Sequence, residues 1–185
     1  MTDTFDLTVQ GTFVSGKRYG HLGSYRYQII AKELSDIQKP TQPIAPKFSE
    51  LSREDSTRLE QQRGIVAAAA KQRYGTPVLT RTITDLPILQ RLIDDKAFSK
   101  RQTYELQSLG VTFGDVLTSE LPLRWVMVTD EYGTDPTLRL KDTTVQINAL
   151  TMISKRIEKD EGVNLSELLR ITREQLTRLT ESGHL

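Results

Sequence analysis

The chain has 185 residues, in which 25 lysine and arginine residues nearly balance 24 aspartate and glutamate residues, so the formal net charge is +1. It has no cysteine and two histidines, which excludes disulfides, thiolate zinc sites, iron–sulfur clusters, cysteine nucleophiles and histidine-rich metal sites. The balanced charge argues against a domain-wide footprint for nucleic acid, and a hydrophobic content of 37% suffices for a folded core.

The start of the chain predicts a β ribbon over residues 1–37. Apolar and polar side chains alternate in residues 7–14 and again in residues 25–30, which is typical of strands. A tight connection between them is indicated by three glycines, Gly16, Gly20 and Gly23. Because a two-stranded ribbon is marginal alone in water, we expect it to dock on the same chain or on a neighbouring one.

Prolines separate this ribbon from the rest of the chain. Within residues 38–47, Pro40, Pro43 and Pro46 recur every third residue, which is typical of an extended, stiff linker. A ligand for an aromatic groove is the alternative, and a plain spacer is favoured. We therefore predict a ribbon at 1–37, a linker at 38–47 and a domain at 48–185.

The domain is expected to begin with two helices. Ser52 and Asp55 approximate a capping box, and Gly75 supplies a stop, so the first helix should cover residues 52–74. A short helix is expected to begin at Asp85, with a proline in its first turn.

A longer helix is predicted to follow, capped by Ser99 together with Gln102. Its apolar stripe comprises Leu106, Leu109, Phe113, Val116 and Leu117. Gly110 and Gly114 lie four residues apart in this helix, and each costs about 1 kcal/mol relative to alanine. Either another backbone crosses the glycines at close range, which we favour, or they form the floor of a ligand groove.

Period-two alternation begins after Pro122 and predicts strands at 123–129, 138–140 and 143–147. Two more helices are expected, one around Leu150 and Ile153 and a last one capped by Asn164. We therefore expect an α+β fold in which a three-stranded antiparallel sheet packs on helices, with the N-terminal β ribbon joined by the proline-rich linker.

Four motifs in this order resemble a bacterial domain of unknown function, family 3806. They are Leu109–Asp115, Leu123–Val128, Asp130–Pro136 and Ile153–Ile157. The resemblance covers about residues 86–169 and leaves residues 1–47 outside. The family is uncharacterised, so the resemblance implies no activity and supplies no catalytic residues.

The titratable side chains form no complete catalytic motif. His21 lies in a glycine-flanked loop, where it could titrate or bind a ligand, although a role in fixing the turn is favoured. The acidic turn at 130–135 departs from the calcium-loop pattern. Glu105 and Asp115 are ten residues apart in one helix, about 15 Å, which is too far for direct cooperation.

Trp125 is the only tryptophan, and its strand is apolar on both faces. A core position is favoured, and the alternative is an aromatic wall for a ligand or partner, formed together with Tyr132 and Arg139.

Our leading hypothesis is a non-enzymatic interaction or regulatory module that binds a protein partner or forms a homodimer, without cofactor or metal. Its binding residues would come from Trp125, Tyr132, Arg139, Gly110, Gly114 and His21. The alternative is a small-molecule-binding protein, or a hydrolase that uses carboxylates such as Asp115 and Asp130 near the glycines. Nucleic-acid binding by Lys17, Arg18 and Arg26 is disfavoured. No apolar run approaches the ~18 residues of a membrane span, so we expect a soluble chain. The missing cysteines suit a reducing cytosol, so the cytoplasm is the favoured compartment.

Overall fold

The structure is a computed structural model that describes residues 6–19, 25–38, 45–75 and 78–181. Its strands are β1 (Asp6–Tyr19), β2 (Tyr25–Gln38), β3 (Lys47–Ser49), β4 (Leu123–Asp130), β5 (Gly133–Leu140) and β6 (Gln146–Ile147). Its helices are α1 (Arg53–Tyr74), α2 (Leu86–Asp94), α3 (Thr103–Glu120), α4 (Ala149–Glu158) and α5 (Leu165–Glu181). The prediction of a mixed α and β fold is therefore confirmed.

The chain divides into two compact units. One comprises Met1–Lys47 with Thr129–Gly133, and the other, here called the core unit, comprises Phe48–Val128 with Thr134–Leu185. Most of the predicted linker, residues 39–44, lies outside the described residues.

In the first unit, β1 and β2 pair antiparallel, as an N-terminal ribbon requires. The pairing Gly11↔Ala31 is followed by Gln10↔Glu33, so Lys32 is an extra residue and forms a bulge. A side chain at Gly11 would collide with the carbonyl of Ile30 on the opposite strand. The glycine is therefore required by the close approach of the two strands.

Helix α1 begins and ends where the capping residues in the sequence predicted. The side chain of Ser52 accepts a hydrogen bond from the backbone of Asp55, whose carboxylate accepts one from the backbone of Ser52, which completes the capping box. Gly75 ends the helix with φ of 69°, a left-handed conformation that glycine adopts without steric cost.

Helix α3 is the centre of the core unit and packs mainly against α1 and α4. Every residue from Leu106 to Leu117 is buried, so the helix is enclosed on all sides rather than along one stripe. It begins four residues later than the predicted cap, because Gln102 has a non-helical backbone with φ of −95° and ψ of 60°. The side chain of Gln102 instead accepts a hydrogen bond from the backbone N–H of Ser99 in the preceding turn.

The prediction of a three-stranded sheet is wrong, because the sheet has four strands in the order β3-β4-β5-β6. The unpredicted strand β3 has only three residues and follows Pro46 directly, which leaves too few positions for an alternating pattern. The strand expected at 143–147 is reduced to β6, because Thr143 closes a turn by hydrogen-bonding to the carbonyl of Leu140.

The last two helices follow the sheet. Asn148, which was not predicted as a cap, accepts a hydrogen bond from the backbone of Thr151 at the start of α4. Asn164 accepts one from the backbone of Glu167 at the start of α5, as predicted. Within the described part of the chain, no helix combines the length and apolar character that crossing a membrane requires.

Candidate functional site

The two glycines of α3 lie in close packing contacts. An added Cβ at Gly110 would lie 2.5 Å from the backbone oxygens of Ala149 and Leu150, so the start of α4 crosses there at short range. An added Cβ at Gly114 would collide with the ring of Trp125. The space over both glycines is thus filled by the protein itself.

Trp125 belongs to a hydrogen-bonded cluster with Asp115 of α3 and Arg63 of α1. Its indole Nε1 donates a hydrogen bond to Oδ1 of Asp115 at 3.0 Å. The same carboxylate accepts two hydrogen bonds from Arg63 of α1, from Nε at 2.6 Å and from Nη2 at 2.7 Å. The side chain of Asp115 is only 6% exposed and that of Arg63 is 14% exposed, so this is a buried, bidentate ion pair.

The charge of Arg63 is retained in this setting. Burial lowers the pKa of its guanidinium, but the hydrogen bonds and charges of Asp115 and Glu60 outweigh burial, so the pKa lies above its ordinary value. Because both oxygens of Asp115 are engaged by Arg63 and Trp125, its carboxylate holds elements together and is not placed to act as a general base.

A cavity of about 330 Å³, which we call the α1–α3 cavity, opens beside this ion pair. Its walls come from α1, from α3 and from the segment that connects α1 with α2. Arg81 lies in that segment, is 53% exposed, and donates from Nη2 to Oε2 of Glu60 at 2.8 Å. Glu60 also accepts from Nη1 of Arg63 at 2.9 Å, so this carboxylate bridges two arginines of the wall.

The remaining candidates are not among the residues that line this cavity. Tyr132 is 61% exposed, and its backbone N–H donates to Oδ1 of Asp130, which therefore caps the turn. Arg139 stacks over the ring of Phe48 at 4.3 Å and donates to the carbonyls of Asp142 and Thr143.

His21 lies outside the described residues. Among the residues that are described, no group of three histidine, aspartate or glutamate side chains could hold a metal ion.

The ribbon carries a second feature, which we call its apolar face. The register places Val9 opposite Leu34, and Phe13 opposite Ile29, on one side of the ribbon, and Phe13 stacks on Tyr27 with ring centroids 5.0 Å apart. By alternation along the strands, Leu7 and Tyr25 share this side. These seven side chains are 38–63% exposed, whereas the opposite side carries mainly polar residues such as Thr8, Gln10, Thr12, Gln28 and Glu33.

Sequence reasoning missed the Arg63–Asp115 pair and the α1–α3 cavity. The two residues are 52 positions apart, and no local pattern joins them. The apolar face had a visible signal in the alternation of both strands, but assigning its residues to one side required the register and the bulge at Lys32.

The fold has a relative among solved structures. A protein from Bacteroides thetaiotaomicron VPI-5482 is similar with a TM-score of 0.65 and 18% identity, over 80% of this chain and 53% of that one. This chain therefore spans about half the length of that relative, and the likeness shows the fold alone. No curated protein matches the chain. Residues 85–168 match the family described as "Domain of unknown function (DUF3806)", which confirms for this segment the resemblance inferred from its motifs.

Proposed function

We propose that the chain is a non-enzymatic interaction module that self-associates through the apolar face of its β ribbon. The observation that carries the proposal is the set of seven large apolar side chains that share one side of the ribbon and stay 38–63% exposed. Surface hydrophobic residues are ordinarily scattered singly, and a contiguous apolar patch is typical of an interaction surface.

A second copy of the same ribbon fits this face well. None of these seven side chains is charged, so the same seven side chains of a second copy meet them without desolvating a charge among them. A two-fold symmetric dimer pairs one patch with itself. Two ribbons stacked in this way would form a small sandwich of four strands, with the usual sheet separation of about 10 Å, which is more stable than a lone two-stranded ribbon.

The area is sufficient for a weak dimer. Each strand has 14 residues, which gives a ribbon about 45 Å long and roughly 10 Å wide. Two such faces cover about 900 Å² in flat projection, and their side chains raise the accessible area toward the ~1,000 Å² expected of a specific interface. We therefore expect association in the micromolar range.

Stacking by the face is favoured over pairing at the ribbon edge. The register between β1 and β2 shifts at three places, and such bulges interrupt the ladder that an added strand would need.

Adjacent residues on opposite sides of β2 provide a matched test. Ile29 on the apolar face is 52% exposed, and Ile30 on the polar side is 56% exposed. In sedimentation equilibrium, the full chain and the Ile30→Glu variant should dimerise with increasing concentration. The Ile29→Glu variant should remain monomeric, because its carboxylate would be buried in the interface.

Far-UV circular dichroism checks that both variants keep the native secondary structure. A wild-type chain that stays monomeric at high micromolar concentration, or equal behaviour of the two variants, would refute self-association through this face.

A further inference from the structure

The core unit has a second cavity, of about 390 Å³, which is lined by the ends of α2 and α4, by the first turns of α3, and by the segments that follow α2 and α4. We call it the α2–α4 cavity. Half of its fourteen lining residues are large and apolar. Three of these, Leu92, Leu106 and Leu109, are at most 1% exposed. The other four are half-buried and present apolar surface to the cavity: Ile93, Phe98, Ile157 and Val163.

Helices α2 and α4 end at this cavity in the same backbone motif. Lys96 and Asp160, which both line the cavity, take left-handed φ angles of 48° and 62°, at a position that glycine usually holds. In each case the next backbone N–H returns to a carbonyl of the helix's last turn, Ala97 to Leu92 and Glu161 to Arg156. The shape of this part of the wall is therefore fixed by backbone hydrogen bonds.

The charged side chains of the lining lie at its solvent-exposed edge. They are Asp94, Lys96, Lys100, Asp160 and Glu161, and all five residues are exposed. Lys100 forms an ion pair with Asp160, which joins the segment after α2 to the segment after α4. Three carboxylates and two lysines leave a formal charge of −1 on this edge, so the lining has no cationic excess that would attract an anion. Because the edge is exposed, solvent and salt screen this single negative charge.

We propose that the α2–α4 cavity binds a small, uncharged molecule with an apolar body. Contact with the seven apolar side chains removes ligand surface from water, which drives binding. A volume of about 390 Å³ is near the lower end of ligand pockets, so it selects a ligand of one or two rings or a short chain. A charge next to the apolar body would lose water on entering the cavity and is disfavoured there. This binding is independent of the proposed self-association, since every lining residue belongs to the core unit.

Methyl groups provide the reporters, because six lining residues are leucine, isoleucine or valine. In ¹H–¹³C methyl spectra of the full chain, benzyl alcohol should shift the methyl resonances of these residues in a saturable manner, with a Kd in the millimolar range. Benzylammonium and benzoate have nearly the same shape and carry one positive or one negative charge. Both should bind at least about tenfold more weakly, because their charges lose water without gaining a counterion inside the cavity.

Three variants locate the site. Ile157→Trp in α4 and Val163→Trp in the segment after it fill the cavity from two different walls, so each should abolish benzyl alcohol binding. Ile88→Trp is the matched control, because Ile88 is a half-buried isoleucine of α2 that lines neither the α1–α3 nor the α2–α4 cavity, and it should leave binding unchanged.

Far-UV circular dichroism identifies which variants keep the native fold, and two filling variants leave the test decisive if one of them does not. The proposal is overturned if benzyl alcohol causes no saturable shift in the methyl groups of the lining, or if either charged analogue binds equally well. It is also overturned if a folded filling variant binds benzyl alcohol like the wild type.

Discussion

Two glycines inside helices of this molecule have opposite surroundings, one crowded and one open. Gly110 of α3 lies against the backbone of α4, where an added Cβ would be 2.5 Å from two carbonyl oxygens. Gly64 of α1 has open space above it. The sequence presents both as helix-interior glycines with the same intrinsic cost, and only the surroundings separate a packing requirement from an open cavity wall.

This difference predicts effects of opposite sign for one substitution. Gly110→Ala should lower the free energy of unfolding by roughly 1–3 kcal/mol, because two helix backbones must move apart. Gly64→Ala should raise it by about 0.5–1 kcal/mol, because helix propensity improves without a clash. Urea denaturation of both variants measures these changes, and a stabilising Gly110→Ala would contradict the close crossing of α3 and α4.

At the scale of elements, the cluster of Arg63, Asp115 and Trp125 joins three of them. Arg63 comes from α1, Asp115 from α3 and Trp125 from β4. Removing one charge of a buried pair leaves the other uncompensated, which costs far more than removing an exposed pair.

We therefore expect Asp115→Asn to destabilise the core unit by about 3 kcal/mol, because the buried charge of Arg63 loses its counterion. Glu60→Gln provides the control, since Glu60 is 52% exposed and its loss should cost less than about 1 kcal/mol. Thermal and urea unfolding, monitored by Trp125 fluorescence, compare the two variants. Equal effects would mean that the Arg63–Asp115 pair is no stronger than a surface ion pair.

The helices and strands also show which structural features can be predicted from local sequence signals. The ends of α1 were predictable because capping box and terminal glycine act within a few residues. The complete burial of α3 and the strand β3 were not predictable, because both depend on what packs or pairs from elsewhere in the chain. The same limit applies to the α1–α3 cavity, whose arginine and aspartate meet across 52 positions.

At the scale of the whole molecule, the two units differ in how far their large apolar side chains are exposed to solvent. The core unit encloses large residues such as Phe113, Leu109 and Leu138 at 1% exposure or less. The ribbon leaves Phe13, Tyr27 and Ile29 more than half exposed. A ribbon of this kind gains its stability from whatever covers its apolar face, so the stability of the two units should respond differently to protein concentration.

Hydrogen exchange can measure this difference in one sample. If the ribbon dimerises as proposed, its amides should exchange more slowly as concentration rises, because binding at a hundredfold excess over Kd stabilises the bound form by about 2.7 kcal/mol. Amides of α3 should exchange at a rate independent of concentration, since their protection arises within the core unit. The Ile29→Glu variant should lose the concentration dependence in β1 and β2, and Ile30→Glu should keep it. Ribbon amides whose exchange is the same at low and high concentration would show that no second copy covers the apolar face.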